Sequence, residues 1–181
     1  MKPDMTLNDE SFVDACNHGI LETAQNLFSK GADLNSVDGY QQTGLFWASH
    51  KGHLHIVQWL LSIGADMEIC SQYGESPLFW ASTNGRLEIM RELVAAGANK
   101  DKGNNDGTTA LHRAVASAPY ECVAYLVDAG ANYNQQDNSG VTPLDFAVKL
   151  GKMEIVTLLK MKELPLGKPP VAPCGNVLRP L

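Results

Sequence analysis

Ser76-Pro77-Leu78-Phe79-Trp80-Ala81-Ser82-Thr83-Asn84-Gly85-Arg86-Leu87-Glu88-Ile89-Met90-Arg91-Glu92-Leu93-Val94-Ala95-Ala96-Gly97-Ala98 reads as two short helices, each closed by a glycine. Ser76 offers an oxygen to the free N–H groups of the first turn, and Pro77 stands where a missing N–H costs nothing. Gly85 ends the first helix because a residue tolerant of positive φ does so cheaply. Leu87 to Val94 carries apolar residues at helical spacing, and Gly97 closes the second helix. The stretch from Asn99 to Gly107 that follows is rich in Asn, Asp and Gly, as a turn-forming finger requires.

The same unit recurs along the chain at a step of 33 residues. Gly-Ala stands at 31–32, 64–65, 97–98 and 130–131. Thr43, Ser76, Thr109 and Thr142 form a second ladder, Leu45, Leu78, Leu111 and Leu144 a third, and Ala48, Ala81, Ala114 and Ala147 a fourth. A single pair of short helices cannot bury its apolar face, whereas stacked pairs share one continuous core. The ladders divide the chain into units at about 8–38, 39–71, 72–104, 105–137 and 138–164. Residues 1–7 form an N-terminal extension and 165–181 a tail.

The end units differ from the inner ones. The first carries Thr23, Gln25 and Asn26 on its second helix, and the last places Lys160 where Leu61, Val94 and Val127 stand. Both read as solvent-facing caps. Gly44 and Ala110 occupy the place of Pro77, and Ala118-Pro119 replaces the inter-helix Gly-His, which predicts a rearranged turn in the fourth unit. The tail holds five prolines in 17 residues and cannot continue the helical array. It is either a disordered end or an extended strap docked on a partner or along the repeats. Pro170-Val171-Ala172-Pro173 has the spacing of a polyproline ligand.

The closest motifs are Gly52-His53-Leu54-His55-Ile56-Val57, Leu60-Leu61-Ser62-Ile63-Gly64-Ala65-Asp66 and Asp106-Gly107-Thr108-Thr109-Ala110-Leu111-His112-Arg113-Ala114. They resemble the ankyrin-repeat family, whose consensus runs D-x-x-G-x-T-P-L-H-x-A, then G-H, I-V, L-L and G-A-D. The resemblance covers roughly residues 8 to 163. It implies an all-α solenoid of helix-turn-helix units with β-hairpin-like finger loops. It also implies a protein-binding module that works through its finger tips and first helices, on a concave face.

Read through that register, the expected protein-binding residues are Tyr40, Trp47, His50, Lys51, Tyr73, Trp80, Thr83, Asn84, Asp106, Arg113 and Phe146. Trp47 and Trp80 hold one position in successive units, as do Tyr40 and Tyr73, so each pair is expected side by side, with Arg113 continuing the Trp row. Trp, Tyr and Arg are the usual interface anchors. The alternative is that each Trp, next to Phe46 or Phe79, packs on its neighbour and covers the helix. Trp59 is expected to pack. Leu27, Asp33, Leu34 and Asn35 resemble the setting in which asparagines of this family are hydroxylated, with Asn35 as acceptor.

Other chemistry finds little support. The formal charge of −6 argues against a nucleic-acid partner. No apolar run approaches the ~20 residues of a membrane span, and the N-terminus lacks the apolar core of a signal peptide. Cys16, Cys70, Cys122 and Cys174 make no CxxC pair, so they read as free thiols of a reducing, cytoplasmic setting. His50, His53 and His55 lack a completing Cys or carboxylate for a metal. No nucleophile–base constellation, nucleotide loop or paired carboxylates can be assembled. The expectation is a non-enzymatic adaptor or scaffold, monomeric on its own, with no cofactor and no small-molecule substrate. The alternative is a structural subunit of a large, possibly cytoskeletal, assembly held by fingers and tail.

Overall fold

The computed structural model describes residues 7–163, and the proline-rich tail lies outside the described residues. Among the described residues ten helices follow one another in pairs: α1 (Leu7–His18) and α2 (Leu21–Ser29), α3 (Gly44–Lys51) and α4 (Leu54–Ser62), α5 (Pro77–Thr83) and α6 (Leu87–Ala95), α7 (Ala110–Ser117) and α8 (Tyr120–Asp128), α9 (Pro143–Lys149) and α10 (Met153–Glu163). The first helices pack in one row, α1 on α3, α3 on α5, α5 on α7 and α7 on α9. Helices α4, α6, α8 and α10 form a second row behind them.

The ladders of the sequence are the core. Leu45, Leu78 and Leu111 are buried, and Ala48, Ala81, Ala114 and Ala147 have no exposed surface. In the second row Leu60, Leu93, Leu126 and Leu159 are fully buried. Leu144 is only half-buried, since no further unit among the described residues covers it. The small alanines let neighbouring helices approach while the leucines fill the space between them.

The first helix of every unit from the second to the fifth starts on a hydroxyl cap. Thr43 accepts from Phe46 N, Ser76 from Phe79 N, Thr109 from His112 N and Thr142 from Asp145 N. His112 is completely buried, and Thr109 N donates to its Nδ1 at 3.2 Å while its Nε2 meets the Val141 carbonyl at 3.0 Å. One imidazole thus ties the fourth unit to the fifth. His53 does the same lower down, its Nε2 lying 3.1 Å from the Asn17 carbonyl.

The fourth unit makes its inter-helix turn differently, as Ala118-Pro119 predicts. Gly52 and Gly85 turn at φ of 94° and 64°, whereas Ala118 is extended at φ −88°, ψ 163° and Pro119 caps α8. A residue with a Cβ avoids the left-handed region, so the chain leaves α7 in an extended conformation instead. Gly44 also has a packing reason: a Cβ there would lie 2.8 Å from Cys16 Sγ and 3.3 Å from Phe12.

The fingers are β-hairpin-like, as expected, though too short to form strands. Among the described residues they form no strand, only one isolated bridge between Val37 and Thr43. A backbone bond closes each turn, Asp38 N to Gln42 O, Ser71 N to Glu75 O, Asn104 N to Thr108 O and Asp137 N to Val141 O, and side chains reinforce it. Asp38 Oδ1 accepts from Tyr40 N and Gln42 N, Asn104 Oδ1 from Asp106 N and Thr108 N, and Asp137 Oδ1 from Ser139 N and Val141 N. Short acceptors bonding the backbone two and four residues on compete with strand ladders and favour turns.

Candidate protein-binding face

Trp47 and Trp80 project from α3 and α5 toward the fingers, and each indole is held by a carboxylate. Trp47 Nε1 donates to Asp38 Oδ2 at 2.9 Å, and Trp80 Nε1 donates to Glu75 Oε2 at 3.0 Å. Ser71, which takes the place of Asp38 in the next unit, is shorter, and Glu75 holds Trp80 there while accepting from Ser71 Oγ at 3.2 Å. Both indoles are half-buried, and an N–H in that position needs an acceptor, which the finger supplies.

The two Trp rings are not side by side as expected. His50 stands between them, stacked on Trp80 at 4.5 Å with planes 13° apart and 5.6 Å from Trp47. The spacing of stacked helices leaves room for a third ring, and His50 lies one turn beyond Trp47 on the same face of α3. Buried Phe46 underlies the group and meets both Trp rings edge-on. Lys51 Nζ lies 5.5 Å from the Trp47 ring centre. The imidazole pKa is lowered, chiefly by burial and then by Lys51 and Arg86, while Glu75 pulls the other way. His50 is therefore neutral at pH 7.

Tyr40 and Tyr73 remain open, at 59% and 54% exposure. Their carbonyls are engaged by the following finger, Tyr40 O by Gln72 N and Tyr73 O by Asn105 N. The backbone is thus fixed while the rings face outward.

The remaining expected residues are spread between open and occupied positions. Arg113 continues the Trp row: its guanidinium lies over Phe79 at 5.7 Å and its Nε donates to Thr83 Oγ1 at 3.3 Å, one repeat on from the contacts of Trp80 with Phe46 and His50. Thr83 Oγ1 donates to Phe79 O within its own helix while accepting from Arg113 of the next unit, and Asn84 Nδ2 donates to His50 O of the preceding one. Phe146 meets His112 edge-on at 5.8 Å. Asp106 and Lys51 are exposed. Trp59 packs on Phe12 and Phe28, as expected. Asn35, the expected hydroxylation acceptor, is half-buried, and its Oδ1 accepts from Asp66 N at 2.9 Å.

Sequence reasoning missed Asp38, although the ladder Asp38, Ser71, Asn104 and Asp137 keeps the same step. It also missed a cleft beside Trp47, lined by Glu10, Val13, Asp14 and Asn17 of α1 and by Asp38 and Gly39 of the first finger. Nothing in the spacing of single residues announces it, because α1 and the finger meet only in the folded stack.

A family model for ankyrin repeats matches in three overlapping copies, over residues 12–104, 45–137 and 97–165. The chain belongs to the ankyrin-repeat family. Ankyrin repeats are generally protein–protein interaction modules and typically non-catalytic, so protein partners are implied. No curated protein matches the chain. Among the described residues this ankyrin array has no group of three or more His, Cys, Asp or Glu placed to hold a metal, and no helix long and apolar enough to cross a membrane.

Proposed function

We propose that this ankyrin array is a non-enzymatic adaptor that grips a protein segment along its fingers and first helices. The observation that carries the reading is the row Trp47–His50–Trp80, fixed to the fingers by Asp38 and Glu75 and flanked by the open rings of Tyr40 and Tyr73. Rigid aromatic surface is cheap to order and large in contact area, which is what an interface anchor needs. Free Cys16, Cys70 and Cys122 suit a reducing compartment such as the cytoplasm.

The test is selection of peptides from a displayed random library on the wild-type chain, followed by rebinding to the Tyr40→Ala/Tyr73→Ala variant. Both tyrosines are exposed, so the variant should keep its helical circular dichroism. Loss of rebinding supports the reading. Full rebinding, with contacts mapped to the second helices, rejects it in favour of a structural subunit held by its outer surface.

A further inference from the structure

We infer that the cleft between α1 and the first finger is a seat for an arginine side chain of the bound protein segment. The inference deepens the preceding reading and rests on it in taking the cation to come from a protein.

The cleft holds about 230 Å³, below the roughly 300–1,000 Å³ of pockets that take whole small molecules, and suits one side chain. Its lining carries the carboxylates of Glu10, Asp14 and Asp38 and includes no lysine or arginine. Asp38 is already committed to Tyr40 N, Gln42 N and Trp47 Nε1 and serves as a fixed negative wall. Asp14 is exposed and among the described residues meets the exposed His18 at 3.1 Å, and Glu10 is exposed in the neighbouring turn of α1. These two are free to pivot toward a ligand.

Three further features select a guanidinium. The Trp47 ring forms one wall, and it already attracts the ammonium of Lys51, so its face accepts a cation. Asn17 also lines the cleft, and its carboxamide oxygen is buried and takes no hydrogen bond from the described residues, an acceptor left unsatisfied beside the site. A planar cation with several N–H donors stacks on an indole while donating to two carboxylates, which the compact, strongly hydrated ammonium of lysine does less well.

The probe is N-acetyl-arginine methylamide, with N-acetyl-norleucine methylamide as its apolar counterpart, titrated into the full chain and followed by amide and indole NMR shifts. The expected result is saturable shifts at Trp47 Nε1–H, Asn17 and Gly39 with the arginine compound alone. The same titration of Glu10→Gln/Asp14→Asn, two exposed positions whose loss leaves the fold intact, should bind at least threefold more weakly. Absence of saturable shifts overturns the inference. So do equal shifts with the norleucine compound, or undiminished binding by the double variant. Selected peptides that need Tyr40 and Tyr73 but carry no basic residue leave the adaptor reading standing and remove this one. Arginine shifts without any such peptides leave the guanidinium site standing and remove the bound protein segment as its source.

Discussion

The imidazole of His50 lies flat on the indole of Trp80, with ring centres 4.5 Å apart. Protonating that ring places a charge in a half-buried stack already facing Lys51 and Arg86. The folded-state pKa is therefore below the ordinary 6.5, as it is for His112, where burial outweighs the Val141 carbonyl and Asp137. Between the folded and unfolded pKa values the unfolded chain binds more protons, so stability rises with pH through that window. It is fully present above about pH 6.5 and declines on acidification. The urea midpoint should fall from about pH 7.5 to about pH 5, and His50→Gln should flatten part of that slope. A midpoint that rises on acidification would contradict the assignment.

Gln41 stands at φ 61° where the other fingers carry Gly74, Gly107 and Gly140. A left-handed non-glycine residue costs roughly 1–2 kcal/mol, partly offset by the lower chain entropy of a non-glycine unfolded state. Gln41→Gly is expected to stabilise the array by about 0.5–1 kcal/mol, read from the urea midpoint.

The same position governs the next finger. A Cβ on Gly74 or Gly107 would lie 2.6 Å from Asn105 Oδ1 or Asn138 Oδ1. These asparagines donate through Nδ2 to the carbonyls of Gln72 and Asn105. The second finger, facing the Cβ of Gln41, has Gln72 in the equivalent place. Gln72→Asn should therefore lower stability in the wild type and raise it in the Gln41→Gly background. A double-mutant cycle showing no coupling would refute this account.

Gly44 lies where a Cβ would meet Cys16 Sγ at 2.8 Å and Cys16 Cβ at 3.2 Å. Alanine gains about 1 kcal/mol in helix propensity, but overfilling a packed core costs about 1–3 kcal/mol. Gly44→Ala should be net destabilising. Adding Cys16→Ala, which removes the clashing sulfur, should make the pair less damaging than the sum of the single changes.

Ser49 and Ser82 are fully buried at one repeat position, and neither hydroxyl has a hydrogen-bond partner among the described residues. The fourth unit carries buried Val115 there. An unpaired buried hydroxyl is unfavourable by about 1–3 kcal/mol, and alanine is the better helix former. Ser82→Ala should raise the thermal midpoint by a few degrees, about 1 kcal/mol in free energy. A fall would mean that the hydroxyl has a partner in solution.

The periodic ladders determined the number of units, the helix pairs, the caps and the core leucines and alanines. Each of these depends on contacts that repeat at a fixed separation, and such contacts leave a period in the sequence. A rearranged turn at Ala118-Pro119 was legible for a different reason, a local conformational requirement, whereas its extended form was seen only in the structure. Tertiary structure decided what lies between units. It placed His50 between the two Trp rings, folded Arg113 onto Phe79, recruited Glu75 where Ser71 is too short, and brought Glu10 and Asp14 beside Trp47. Those arrangements depend on which side-chain ends meet across a stacked interface, where a few tenths of an ångström and one available acceptor select the partner. A period in the sequence aligns the positions but does not specify the direction in which their side chains reach.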